Sequence, residues 1–182
     1  DGIVAKTPQN RNWKYEIVNN TAVVTGCEPA DGELYIPSNL GGKKVTGIKD
    51  YAFFKNPNIT GVTFPIGMTS IGIKAFKGCT SLKRMVLPYE LTYLGQASFQ
   101  DCTSLETVEV PAKVDYLWSS TFEGCTALKE AHVLAATSIG TSAFANCKAL
   151  NAVWLPNTVK QIKSFAFFSC ESLADVVLPK SL

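Results

Sequence analysis

The chain has 182 residues, of which 46% are hydrophobic and 18% are charged, so we expect a globular rather than a disordered protein. Its formal net charge of +2 and the lack of a Lys/Arg run argue against nucleic-acid binding. No segment reaches the roughly 20 consecutive apolar residues of a membrane-spanning helix, so we expect no direct membrane insertion.

The first part of the chain, residues 1–46, does not repeat and is predicted to form an N-terminal β cap that includes a first strand. Residues 13–26 read WKYEIVNNTAVVTG, which indicates a β-hairpin with its turn at Asn19-Asn20, and ELYIP at residues 33–37 indicates a further strand. The opening DGIVAKTPQNRNW lacks the pattern of a secretion signal, so either no signal existed or it was already removed.

Residues 47–182 contain six copies of a repeat of 22–23 residues, I-G-x-x-A-F-x-x-C-x-x-L-x-x-V-x-L-P. Six copies in one register predict a solenoid, because one coil cannot bury its own apolar side chains and stacking buries them against neighbours. The phenylalanine of each copy should therefore join a continuous aromatic column. Its members are Phe53, Phe76, Phe99, Phe122, Phe144 and Phe167.

Within a copy, L-x-x-V-x-L alternates as a half-buried strand does, and proline ends the strand because it has no N–H to donate. We expect one strand per coil, stacked in parallel into a curved sheet, with the A-F stretch forming a short helical turn or an irregular arc behind it. The residue before cysteine is a type that tolerates a tight bend or a left-handed conformation. These residues are Gly78, Asp101, Gly124, Asn146 and Ser169.

Three copies depart from the pattern. In the fourth, Leu117-Trp118 replaces Ile-Gly, the copy is one residue short, and Leu134 replaces proline, which predicts a change in curvature or a lost strand stop near residues 131–138. In the first, Asn56 takes the place of cysteine. The last copy stops soon after its strand, so we expect a truncated or weakly protected C-terminal edge.

The copies from Ile48 to Pro179 resemble the BspA-like, or treponemal-type, leucine-rich repeats of bacterial surface proteins, and ELYIPSNLGGKKVTGI resembles their lead-in segment. This resemblance implies a leucine-rich-repeat solenoid with a curved parallel β-sheet on the concave side and irregular or short helical arcs on the convex side. It also implies a bacterial protein that is secreted or held at the cell surface. Some members adhere to host matrix proteins or to other bacteria, but the resemblance supplies no ligand.

Five of the six cysteines occupy one point of successive coils, where parallel Cβ directions do not suit a disulfide and a straight column cannot surround a metal ion. We therefore expect reduced, buried thiols and no metal or cofactor, with one or more disulfides as the alternative. Cys27 lies in the cap. We expect it to be a free thiol, and it is the cysteine to test for reactivity.

If Met85 and Leu87 face the core, alternate residues of every repeat strand face outward on the concave sheet. One outward column is Glu33, Gly61, Arg84, Thr107, Glu130, Ala152 and Asp175, and the other is Tyr35, Thr63, Val86, Glu109, His132, Trp154 and Val177. From these columns, the candidate ligand-binding residues are Tyr35, Arg84, Val86, Glu109, Glu130, His132, Trp154 and Asp175.

Trp154 and Tyr35 are plausible anchors for a protein or glycan partner, although a neighbouring side chain or loop could cover them instead. Val86 and Val177 are interpreted as ordinary strand formers. Phe54, Trp118 and Phe168 lie towards the arcs, where packing is the favoured role.

Three functional hypotheses follow. The first is a non-enzymatic adhesion module that binds a host or bacterial surface protein or glycan through the concave sheet. The second is a spacer or assembly segment of a longer surface protein. The third is a polysaccharide-acting enzyme, for which only Glu109 and Glu130, near His132, would qualify, and no nucleotide-binding, hydrolase or zinc motif occurs in the sequence.

Overall fold

A computed structural model of the chain describes residues 11–174 and 176–182 and shows a β-solenoid of short strands. None of the described residues lies in a helix. In chain order the strands are β1 (Asn12–Val18), β2 (Thr21–Glu28), β3 (Gly32–Tyr35), β4 (Asn39–Leu40), β5 (Lys43–Ile48), β6 (Ile59–Thr63), β7 (Ser70–Ile71), β8 (Arg84–Val86), β9 (Tyr93–Leu94), β10 (Thr107–Val110), β11 (Tyr116–Leu117), β12 (Glu130–Val133), β13 (Ser138–Ile139), β14 (Ala152–Trp154) and β15 (Gln161–Ile162). The predicted leucine-rich-repeat solenoid is confirmed.

The strands form two parallel ladders that run along the stack of coils. The first ladder contains β3, β6 and β8, followed by β10, β12 and β14, and is built from the predicted L-x-x-V-x-L segments. The second ladder contains β2, β5, β7 and β9, followed by β11, β13 and β15, and is built mostly from the Ile-Gly segments. The prediction of one strand per coil is therefore wrong. Two-residue strands such as β7 are too short to show a recognisable alternation in sequence.

Irregular arcs connect the second ladder to the first. Their backbone N–H groups donate alternately to the next coil and to a carbonyl of their own coil. The N–H groups of Phe76 and Gly78 donate to the carbonyls of Ser98 and Gln100 in the next coil, both at 2.8 Å. The Cys79 N–H instead donates within its own coil to the Phe76 carbonyl, at 3.1 Å. This alternation leaves no backbone group of the arc free to continue a helix, which explains why the arcs are irregular.

Two left-handed residues per coil produce that alternation. The predicted series before each cysteine has positive φ throughout, from 57° at Ser169 to 76° at Gly78, and is confirmed. A second series, which precedes the A-F pair, was not predicted because its residue types are unrelated to one another. It comprises Tyr51, Lys74, Ala97, Ser120, Ser142 and Phe165, with φ between 53° and 61°. Regular placement of left-handed residues excludes a right-handed helix at these points.

The aromatic column runs through the centre of the stack as predicted. Phe76, Phe99, Phe122 and Phe144 are fully buried, and consecutive rings lie 5.1–5.8 Å apart with interplanar angles of 2–16° from Phe53 to Phe167. The rings are close to parallel because each coil places its phenylalanine at the same point and with the same side-chain direction.

At the N-terminal end, β1 and β2 form an antiparallel hairpin whose turn residues Asn19 and Asn20 have φ of 48° and 65°. Asparagine tolerates this left-handed conformation well. Strand β2 then pairs in parallel with β5, while β3 pairs in parallel with β6. The N-terminal segment thus supplies the outer strand to both ladders.

The fourth copy shows what the loss of proline does. Leu134 keeps its N–H, which donates to the Val110 carbonyl at 3.1 Å and so continues the hydrogen bonding of β12 beyond its last residue. Strand β12 nevertheless ends at Val133, directly before Leu134, as β10 ends at Val110 before Pro111, so the predicted loss of a strand stop is limited to this one added hydrogen bond.

Candidate functional site

The two outward columns lie side by side on the first ladder. The register pairs Gly61 with Arg84 and Thr63 with Val86, and further along it pairs Glu109 with His132 and His132 with Trp154. Arg84, Val86, Glu109, Glu130 and Trp154 are exposed, while Tyr35 and His132 are half-buried. Asp175 lies outside the described residues. Whether any of these side chains binds a ligand stays a prediction.

Trp154 is exposed on one side and covered on the other. Its ring stacks on the His132 imidazole with the centroids 3.9 Å apart and the planes 16° from parallel. It nevertheless remains 49% exposed, and it lines a shallow pocket of about 370 Å³ together with Ala152 and Val177. A neighbour thus covers one face of Trp154 and solvent reaches the rest, and its role as an anchor stays a prediction.

The acidic residues Glu109 and Glu130 lie on the adjacent strands β10 and β12. Glu109 lies opposite His132, whereas Glu130 lies opposite Thr107, so the two carboxylates are offset along adjacent strands rather than facing each other. Both are exposed on an open sheet. Within residues 11–174 and 176–182, no group of three or more His, Cys, Asp or Glu side chains could hold a metal ion.

A groove of about 660 Å³ lies on the first ladder, and we call it the β8 groove. Strand pairing joins β3, β6 and β8 on one side and β10, β12 and β14 on the other, and in the described chain it does not join β8 to β10. The β8 groove spans this interruption and is lined by residues of β6, β8, β10 and the turns that follow β6 and β8.

Three apolar side chains stand exposed around the β8 groove. Val86 is 83% exposed, Ile66 is 76% exposed and Tyr89 is 68% exposed. Ile66 and Tyr89 were not predicted as site residues. The signal that could have found them is the position after the repeat's proline, which is apolar and large only after Pro65 and Pro88.

The rim of the β8 groove is charged with both signs. Arg84 Nη2 lies 3.8 Å from Glu33 Oε2, and Glu109 lines the opposite side. The hydrogen bond that Tyr89 donates to Glu90, together with the charge of that carboxylate, raises the pKa of Tyr89. Tyr89 therefore remains a neutral hydroxyl at physiological pH, beside apolar Val86.

The five repeat cysteines form a column of sulfur hydrogen bonds rather than disulfides. All six cysteines are free thiols. Each Sγ of the column donates to the carbonyl of the phenylalanine in the preceding coil, at 3.1–3.3 Å. At the first coil, Asn56 Nδ2 instead donates to the Ala30 carbonyl at 2.8 Å. The predicted reduced, buried thiols are confirmed, and Cys170, at the end of the column, is only partly buried.

Cys27 is a poorer candidate for reactivity than the sequence suggested. Its side chain is only 6% exposed, and burial raises its pKa. Burial also raises the pKa of Cys79 to about 12 and that of Cys102 well above its usual value. Because the thiolate is the nucleophile, these thiols are almost entirely unreactive at neutral pH. Burial also raises the pKa of Cys170, but its side chain is only partly buried, whereas that of Cys27 is buried.

We therefore expect iodoacetamide at pH 8 to alkylate Cys170 first and Cys27 more slowly. Cys79 and Cys102 should react only after denaturation, since a thiol of pKa about 12 is ionised to only about one part in ten thousand at this pH. Peptide mass spectrometry of native and urea-denatured protein gives the order directly. Labelling of Cys102 as fast as that of Cys170 in the native protein would contradict the buried column.

Packing was favoured for Phe54, Trp118 and Phe168, and all three pack on neighbouring rings at the surface rather than in the core. Each is exposed. The sequence could not separate these positions from the core because they also recur in aromatic-rich stretches.

In the described part of the chain, no helix has the length and apolarity to cross a membrane.

Comparison with known proteins agrees with this architecture. Residues 46–173 match six copies of the family described as the BspA type leucine rich repeat region. No curated protein sequence matches the chain. Among solved structures, the T. pallidum leucine rich repeat protein TpLRR is 28% identical with a TM-score of 0.65, and the match covers 92% of this chain and 69% of that one.

Two further solved structures are longer than this chain. A leucine-rich repeat protein from Eubacterium ventriosum ATCC 27560 is 27% identical with a TM-score of 0.77, over 92% of this chain and 46% of that one. A leucine rich cell surface protein from Faecalibacterium prausnitzii A2-165 is 23% identical with a TM-score of 0.64, over 90% of this chain and 52% of that one. The chain thus spans about half the length of these two proteins.

Proposed function

Because the chain belongs to the BspA type leucine-rich repeat family, we propose that it is a non-enzymatic binding module, secreted or displayed on a bacterial cell surface, whose β8 groove holds a partner protein. The surface location is what membership of this family implies. The described residues offer a stack of coils with an open groove of about 660 Å³ on the first ladder.

Exposed Val86, Ile66 and Tyr89 around one groove carry this proposal. Valine in the outward column alone would be an ordinary strand former. Three large apolar side chains from β8 and two successive turns, all open to solvent, form a patch of the kind that marks a protein interaction site. Their burial by a partner would stabilise the complex, because apolar area is removed from water.

The charges around the patch favour a protein over a glycan. Arg84 and Glu33 on one side and Glu109 on the other give a polar rim around an apolar centre, which is the usual layout of a protein–protein interface. Val86 and Ile66 are aliphatic and have no polar group that could bond to sugar hydroxyls.

A charge placed in the β8 groove tests the proposal. We expect the intact protein to bind at least one member of an array of immobilised extracellular-matrix and bacterial surface proteins. Val86→Asp should weaken that binding at least tenfold, about 1.4 kcal/mol, because the carboxylate would be desolvated against an apolar partner. Surface plasmon resonance with the bound protein measures the change.

Val177→Asp is a matched control, because Val177 is also 83% exposed and belongs to the same outward column but does not line the β8 groove. It should leave binding unchanged. If no protein on the array binds, if only glycans bind, or if Val86→Asp binds as well as the parent, the proposal is wrong and a spacer or assembly role is favoured.

A further inference from the structure

The second ladder has its own outward columns, and these concentrate aromatic residues at two neighbouring coils. One column reads Ser70, Tyr93, Tyr116, Ser138 and Gln161, and the other reads Lys49, Gly72, Gly95, Trp118, Gly140 and Lys163. Serine and glycine thus occupy these positions in coils on both sides of Tyr93, Tyr116 and Trp118.

The glycines of the second column, Gly72, Gly95 and Gly140, which we call the glycine column, lie where successive coils approach each other closely. A Cβ at Gly95 would lie 2.5 Å from the Ile73 nitrogen of the preceding coil, and one at Gly140 would lie 2.5 Å from the Leu117 carbonyl oxygen. Real Cβ atoms do not approach backbone atoms so closely. A side chain at Gly95 or Gly140 would therefore require a local shift of the backbone, whereas Lys49 and Lys163, in the same column, keep their N–H bonds to Val24 and Ile139 at 2.8 and 2.9 Å.

Trp118 is placed at this position, and the hydrogen bonding of the second ladder is interrupted there. The Gly95 N–H donates to the Ile71 carbonyl at 2.8 Å, and the Gly140 N–H donates to the Leu117 carbonyl at 2.7 Å. Among the described residues, no equivalent bond joins Trp118 to Leu94.

A second hydrogen bond between the same two coils is missing at Asp115, three residues before Trp118. The Thr92 N–H donates to Thr69 and the Thr137 N–H donates to Asp115, yet residues 11–174 show no bond from Asp115 to Thr92. Strand β9 accordingly pairs with β7 but not with β11. The second ladder is therefore not hydrogen-bonded between these two coils at either point.

Aromatic side chains surround this opening. The Trp118 ring lies 6.3 Å from Tyr93 at 63° and 4.7 Å from Tyr116 at 52°, and it is 41% exposed. The Lys163 ammonium lies 5.1 Å from the centre of the Tyr116 ring. We call Tyr93, Tyr116, Trp118 and Lys163 the aromatic site.

We propose that the aromatic site binds a neutral oligosaccharide, with one pyranose ring resting on the exposed face of Trp118. The negative face of an aromatic ring attracts the weakly positive C–H groups on the apolar side of a sugar. The hydroxyls of Tyr93 and Tyr116 and the Lys163 ammonium can hydrogen-bond the sugar hydroxyls.

Charge and shape favour this ligand over a protein or an anion. The cation Lys163 on one side is balanced by Asp50, whose charge contributes to the raised pKa of Tyr93 after the larger effect of burial. Gly95 and Gly140 on either side of Trp118 have no side chains, so the indole stands clear of its neighbours in its own column. An extended chain of sugars fits such a flat, interrupted surface.

A merely structural role does not explain the aromatic site. Trp118 fills no core volume, because it is partly exposed, and its position coincides with the loss of ladder hydrogen bonds that every neighbouring coil with glycine keeps. Trp118 packs only on two tyrosines at the surface, so the ladder hydrogen bonds are lost here without a gain in core packing, which is the pattern expected of a functional position.

The repeat itself provides variants that should fold. Trp118→Gly, Tyr93→Ser and Tyr116→Ser each restore the residue found at the same point of other coils. We expect the intact protein to bind members of an array of neutral glucose, mannose, galactose and N-acetylhexosamine oligosaccharides. For the best binder, Trp118→Gly should raise the Kd measured by isothermal titration calorimetry at least tenfold, and Tyr93→Ser and Tyr116→Ser should each raise it severalfold.

Phe168→Ala is the matched control, since it removes an exposed aromatic ring that lies outside the aromatic site. It should leave sugar binding unchanged, and Val86→Asp should do the same, so this test is independent of the β8 groove. The proposal is overturned if no neutral oligosaccharide binds, or if Trp118→Gly, with an unchanged melting temperature, binds as the parent does.

Discussion

Replacing Phe99 by alanine should lower the free energy of unfolding by about 3–5 kcal/mol. Phe99 is fully buried, and its ring lies 5.3 Å from Phe76 and 5.8 Å from Phe122 with both pairs nearly parallel. Alanine would lose the transfer free energy of the ring and would leave a cavity that the rigid coils on either side cannot close. Urea denaturation followed by circular dichroism measures the loss.

Phe168→Ala is the control for Phe99→Ala, because Phe168 belongs to a similar phenylalanine-rich arc yet is 58% exposed. It should change the free energy of unfolding by no more than about 0.5 kcal/mol, as surface substitutions commonly do. A cost at Phe99 as small as that at Phe168 would mean that the aromatic column does not stabilise the stack.

Gly95→Ala should destabilise the protein by about 1–3 kcal/mol, although it adds a single methyl group. The new Cβ would lie 2.5 Å from the Ile73 nitrogen and 2.6 Å from the Gly72 carbonyl carbon. Both atoms are backbone, so neither can rotate away, and the coils must separate at the cost of ladder hydrogen bonds. The shift of the urea midpoint at constant slope reports this loss.

Gly61→Ala tests whether the effect comes from the close approach rather than from any glycine in a strand. At Gly61 the new Cβ would meet Glu33 Cγ at 3.3 Å, a flexible side chain that can shift. The change should stay within about 1 kcal/mol. Equal destabilisation by Gly61→Ala and Gly95→Ala would contradict the assignment of the glycine column to coil spacing.

The repeat pattern predicted the parts of the fold in which every coil resembles its neighbours. Phe99 and Cys102 recur at fixed steps, so their stacking on equivalent residues followed from the spacing alone, as did the left-handed residue before each cysteine. The second left-handed series could not be predicted, because Lys74 and Ala97 carry no preference for positive φ and adopt it only under the hydrogen bonds between arcs.

The candidate site was predicted only in part. Outward columns on the first ladder followed from alternation, and the structure places Arg84, Val86 and Glu109 on them. Ile66 and Tyr89 lie in turns, where no periodicity indicates direction, so the β8 groove did not emerge from the sequence.

By itself, the sequence determined the stack of coils, its aromatic and sulfur columns and its outward faces, because each repeat carries the same burial pattern and each coil contacts the same kind of neighbour. Only the tertiary structure decided where the ladders open and which side chains meet at the openings. Those openings depend on how two non-identical coils fit against each other. Trp118 is an example, because the ladder hydrogen bond that is absent there would join it to Leu94, one coil earlier in the chain.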